Sequence, residues 1–129
     1  MRLLLDTHVL LWALNESDRL DATTRAMLED PDNDVFFSAA SIWEIAIKAR
    51  LGRADFTRKA SEVAQAARDT GFVELPVVSA AAARVETLTL HHRDPFDRLL
   101  VAQAMAGPLQ LFTADPLLKA YSALVTLIA

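Results

Sequence analysis

Four short apolar stretches of this chain are each followed by, or packed near, a carboxylate where a helix should begin. Leu3-Leu4-Leu5 runs into Asp6, and Val35-Phe36-Phe37 leads toward Glu44. Asp94-Pro95-Phe96-Asp97 opens the helix that carries Leu99, and Leu111-Phe112-Thr113-Ala114 ends in Asp115. If the runs are parallel strands of one sheet, their carboxyl ends share an edge and the acids converge there. Carboxylates crowded together raise one another's pKa unless a cation sits among them. Oxygen donors select Mg2+ or Mn2+ over zinc or copper. Such ions lower the pKa of a bound water and clamp phosphoryl oxygens during in-line displacement. The chemistry this pattern predicts is hydrolysis of a phosphodiester.

Every one of these acids also has a structural use. Asp6, Asp94 and Asp115 suit helix N-caps, with Pro95 and Pro116 placed as first-turn prolines. Asp97 falls in a first turn, where the helix dipole favours a negative charge. Ser41-Ile42-Trp43-Glu44 has the form of a capping box, and Glu44 and Lys48 have i,i+4 spacing. Caps alone would occur at both edges of a sheet, whereas all these acids are expected on one. Thr113 could place a water or a carboxylate through its hydroxyl, or cap its own backbone. Arg93, Arg98 and Lys48 either balance charge on a solvated face or hold phosphates beside the scissile one.

Other chemistries lack their residues. There is no cysteine, hence no disulfide and no thiolate metal site. Glycine-rich phosphate loops, nucleophile elbows and His-Glu-x-x-His helices are missing from the sequence, and His8, His91 and His92 form no recognisable zinc set. The net charge of −4 opposes a diffuse positive field for nucleic acid, an objection that weakens if divalent ions neutralise several acids. With 129 residues, one domain (1–129) is expected. The lack of a long apolar run and an amino terminus that enters a strand at once predict a cytoplasmic protein.

The elements that must position the acids alternate. Strands are expected at Arg2–Leu5, Val35–Phe37, Phe72–Leu75, Leu109–Phe112 and around Val125–Ile128. Helices are expected at His8–Leu14, Ala22–Glu29, about Ser41–Leu51, roughly Thr57–Asp69, Ser79–Leu88 and Pro95–Met105, with a helical turn after Pro116. That order predicts a three-layer α/β/α sandwich around a central parallel sheet. Around the third helix Ile42, Trp43, Ile45, Ala46, Ile47 and Ala49 leave only a narrow polar stripe. Such a helix is buried on more than one side, under a loop or against another chain.

In order along the chain, Leu5-Asp6-Thr7-His8, Ser41-Ile42-Trp43-Glu44-Ile45-Ala46-Ile47-Lys48, Asp94-Pro95-Phe96-Asp97-Arg98-Leu99-Leu100 and Thr113-Ala114-Asp115 resemble the motifs of the PIN-domain ribonucleases. Within that family the chain is most similar to the VapC-type toxins. The resemblance implies a Mg2+- or Mn2+-dependent endoribonuclease whose four catalytic and metal-holding acids are Asp6, Glu44, Asp97 and Asp115. Asp94 competes with Asp97 for the third place and is otherwise a cap, a support or a fifth acid. It also implies an RNA substrate, a small cognate antitoxin that blocks the site, and a homodimer. The rivals are a DNA nuclease of the same fold, a receiver-like phosphoacceptor module and an inactive interaction module in which the acids only cap. A receiver needs a lysine after a late strand, and the run to Phe112 offers none.

Overall fold

A computed structural model describes residues 1–90 and 93–128. His91 and His92, set aside above as no zinc set, lie outside the described residues. Strands β1 (Arg2–Leu5), β2 (Asp34–Ser38), β3 (Val73–Leu75), β4 (Gln110–Thr113) and β5 (Val125–Leu127) form one sheet in the order β3-β2-β1-β4-β5. All neighbouring strands are parallel. Between them run α1 (Thr7–Asn15), α2 (Ala22–Glu29), α3 (Ala39–Arg50), α4 (Ala60–Thr70), α5 (Ser79–Arg84) and α6 (Pro95–Ala106). Single 3-10 turns occupy Ser17–Arg19, Val85–Thr87 and Pro116–Tyr121.

The three layers follow from the two-residue period of a strand. In β1, Leu3 and Leu5 point to one face and pack with Val9, Leu10, Ile45 and Val63 of α1, α3 and α4. Leu4, between them, points to the other and packs with Leu100, Val101 and Ala104 of α6. All three leucines are fully buried, as a strand covered on both faces requires. The central place of β1 sets the site. Strand β1 connects onward to β2 on one side and β4 to β5 on the other, so the connections that leave these two neighbouring strands run in opposite directions from their carboxyl ends.

Several boundaries differ from expectation for local reasons. Helix α3 starts at Ala39 because the Ser38 hydroxyl accepts from the Ala40 N–H at 3.0 Å and caps it there. Ser41 is therefore inside the first turn and buried, and the Ser41–Glu44 capping box does not form. Helix α4 begins only at Ala60, since residues 53–56 close a turn that buries Phe56. It ends at Gly71, whose φ of 97° lets the chain turn directly into β3. The expected helix at Ser79–Leu88 is regular only to Arg84 and tightens into the 3-10 turn. No helix among the described residues is long and apolar enough to cross a membrane.

Candidate active site

Asp6 is the first residue beyond β1 and the N-cap of α1. Its Oδ1 accepts from the Val9 N–H at 2.8 Å, and its backbone N–H donates to the Phe112 carbonyl at 3.0 Å. Thr113, the last residue of β4, donates its hydroxyl to Asp6 Oδ2 at 2.5 Å and accepts from the Asp115 N–H at 3.0 Å. One buried hydroxyl thus ties the ends of these two neighbouring strands together. Asp6 is itself buried, and burial pushes its carboxyl above the ordinary 3.8. The Thr113 and Val9 hydrogen bonds and the His8 charge pull it back, while the charge of Glu44 adds to the rise. Asp115 caps the following turn, with Oδ1 accepting from the Leu117 N–H at 3.0 Å.

Glu44 approaches from α3. It is buried because that face of the helix lies against α1, where the Thr7 hydroxyl donates to Glu44 Oε1 at 2.6 Å and Ser41 Oγ lies 3.0 Å from the same hydroxyl. The other carboxylate oxygen, Oε2, accepts from Lys48 Nζ at 2.5 Å, one helical turn on. Lys48 Nζ also lies 4.0 Å from Asp94 Oδ2. Asp94 caps α6, with Oδ1 accepting from the Phe96 N–H at 2.9 Å, and half-buried Asp97 sits in that helix's first turn.

All the acids therefore lie at the carboxyl edge of the sheet, and Asp6, Asp94 and Asp115 are indeed caps as well. Asp6 and Glu44 feel each other's charge; Thr113 links Asp6 to Asp115, and Lys48 links Glu44 to Asp94. They are not drawn into a closed cage. Among the described residues, no three carboxylates or imidazoles are grouped tightly enough to hold an ion as they stand.

The three basic candidates have different fates. Arg93 is exposed. Arg98 donates to the Leu88 carbonyl at 3.1 Å and so ties the end of the 3-10 turn to α6. Lys48 points inward. Sequence reasoning missed Thr7 and Ser41, whose signal was a hydroxyl beside the first acid and another three residues ahead of the second. A groove of about 520 Å3 borders this region, lined by His8, Trp12, Ile45, Asp55, Phe56 and Arg58 among others. It opens along the outer side of α1, and none of the acids at the sheet edge lines it.

A parallel α/β sheet with buried and half-buried acids at its topological switch point defines a class of fold. Within that class, a family profile described as the PIN domain matches residues 3–124, and the chain belongs to the PIN-domain family. The fold is also that of solved VapC structures. One is the crystal structure of VapBC2 from Rickettsia felis bound to a DNA fragment from their promoter, with a TM-score of 0.74, 13% identity and 100% of each chain covered. Another is Mycobacterium tuberculosis VapC20, described as a sarcin–ricin loop cleaving toxin, with a TM-score of 0.60 and 19% identity over 92% of this chain and 93% of that one. No curated protein matches the chain in sequence.

Proposed function

We propose that the chain is a VapC-type toxin, an endoribonuclease that hydrolyses RNA phosphodiester bonds with the help of Mg2+ or Mn2+ and is neutralised by a cognate antitoxin. The observation that carries this is Asp6. A carboxylate is buried at the switch point beside a second buried acid, and its hydrogen bonds come from neutral groups, Val9 N–H and the Thr113 hydroxyl. Evolution of a stable core alone would favour an uncharged residue there. The family and the fold shared with VapC20 support the same reading.

The donor set fits a hard divalent ion, because the groups at the site that could ligate one are carboxylate and hydroxyl oxygens and no thiolate exists in the chain. Asp6, Glu44, Asp97 and Asp115 would hold it, and a bound ion would acidify a water and neutralise charge on the phosphoryl oxygens. The Thr113 hydroxyl fixes Asp6 by donating to it and Asp115 by accepting from its backbone N–H; Thr7 fixes Glu44. Exposed Arg93 is placed at the start of α6 to meet an RNA phosphate. Trp43, largely exposed on α3, is the residue for which a homodimer contact would account. The setting we infer is the cytoplasm.

Cleavage of a total RNA pool by purified chain, with Mg2+ or with EDTA, tests the proposal against an identically prepared Asp6→Asn variant. Discrete metal-dependent products from the wild type alone are expected. Equal patterns from both proteins, or none from either, would overturn it. Cutting of a matched DNA in preference to the RNA would move the assignment to a DNA nuclease, since only RNA offers a 2′-hydroxyl.

A further inference from the structure

The two sides of the cleft differ in how their charge is met. Asp6 receives hydrogen bonds from a backbone N–H and a hydroxyl, and among the described residues no lysine or arginine pairs with it. Glu44 is paired with Lys48, and that lysine is held far more firmly than a surface side chain. Its ammonium contacts Glu44 at 2.5 Å, faces Asp94 at 4.0 Å, and lies 5.2 Å and 5.8 Å from the ring centres of Phe56 and Phe96. These partners come from α3, the cap and first turn of α6 and the loop ahead of α4. The side chains of Glu44 and Lys48 are only 3% and 17% exposed. A strongly hydrated ammonium enters such a place only when carboxylates and ring faces replace its water.

In two-ion phosphodiester sites the metals stand roughly 3.5–4 Å apart and share carboxylates. Glu44, which a second ion would have to share with the first, already has a positive charge at bonding distance from its Oε2, with Asp94 4.0 Å from that same ammonium. We propose that Lys48 is the fixed second cation of this cleft, so that the chain binds one divalent ion, on the Asp6 side, and no second. The inference rests on the metal-dependent reading above and concerns its stoichiometry.

Counting bound Mn2+ by electron paramagnetic resonance on the full chain tests it without any substrate. One ion per chain is expected for the wild type, with at least tenfold weaker binding in Asp6→Asn. Lys48→Met, which keeps the stem and removes the charge, is expected to admit a second ion, and Lys48→Arg to remain at one. Lys48→Gln serves in the same role if Lys48→Met melts before it can be titrated. Two ions on the wild type, or a folded uncharged variant that stays at one, would overturn the assignment of Lys48 alone. A wild type that binds no Mn2+ would sink the metal reading and this inference with it.

Discussion

The cleft has two halves, each of which satisfies one buried carboxylate by a different means. On the β1–β4 side, Asp6 accepts from the neutral hydroxyl of Thr113, which in turn accepts from the Asp115 backbone N–H. On the α3–α6 side, Glu44 and Asp94 face the ammonium of Lys48. Among the described residues no lysine or arginine pairs with Asp6, whereas Glu44 has a cation of the chain's own beside it. Function is expected to be lost most completely in the first, and stability in the second.

The largest effect is expected at Asp6. Asp6→Asn should lower metal-dependent RNA cleavage by about three orders of magnitude, the upper range for removing one electrostatic group from a catalytic centre. The same change should leave the metal-free fold no less stable. Because burial raises the native pKa of Asp6 above 3.8, the folded chain binds this proton more tightly than the unfolded one. Its contribution favours folding below 3.8 and is lost as pH rises through the raised native value. Urea melts in EDTA from pH 4 to 7 should therefore show wild type losing stability relative to Asp6→Asn as pH increases. Mn2+ should restore it at neutral pH by linkage. A flat difference across that range would mean that Asp6 is not strained by its burial.

Lys48→Met is expected to cost about 3 kcal/mol in a metal-free melt, the lower end for breaking a buried pair, because Glu44 is left charged and uncompensated. Pairing the change with Glu44→Gln in a double-mutant cycle should recover much of that loss. If both single changes were nearly silent, the two halves of the cleft would not differ in the way described.

The sequence carried more of the first half than of the second. Leu3-Leu4-Leu5-Asp6 and Leu111-Phe112-Thr113-Ala114-Asp115 are legible because a strand buried on both faces is an unbroken apolar run, and the acid follows it immediately. The alternation of elements likewise gave the layered fold and a parallel sheet. Glu44 lies six residues beyond Ser38, the end of its strand, so its side of the helix depends on where α3 begins. Ser38 rather than Ser41 is the cap, and that shift puts Ser41 and Glu44 inward against Thr7. The i,i+4 spacing of Lys48 could not tell an exposed pair from a buried one; only the closure of Phe56 and Phe96 over it does. Capping by Asp6, Asp94 and Asp115 does not exclude the roles proposed for them, since in each the cap hydrogen bond goes to one oxygen, Oδ1.

Thr113→Val is expected to sharpen the contrast from the neutral side. It removes the donor to Asp6 Oδ2 and the acceptor for the Asp115 N–H, both at a fully buried position. The cost should be about 1–3 kcal/mol in denaturant melts. Thr113→Ser, which keeps the hydroxyl, should recover most of it. Mn2+ affinity should fall with the valine, because Asp6 loses the contact that orients its second oxygen. A valine variant with unchanged metal affinity would show that Asp6 needs no such support.

The smallest effect on stability is expected just outside the cleft, at Trp43. This side chain is 60% exposed, and its described ring contact is the edge of Phe96, 5.2 Å between centres. Trp43→Ser should therefore destabilise the isolated fold by only about 0.5–1 kcal/mol. An exposed apolar ring of this size is costly for the chain alone, and a second copy covering it would remove the cost. Sedimentation at increasing concentration distinguishes the two situations. If Trp43 forms part of a homodimer surface, the serine variant should stay monomeric where the wild type associates, while the Lys48 and Thr113 variants associate normally. Association unchanged by the serine would place any dimer contact elsewhere and leave Trp43 to the antitoxin or to RNA at the rim of the acids.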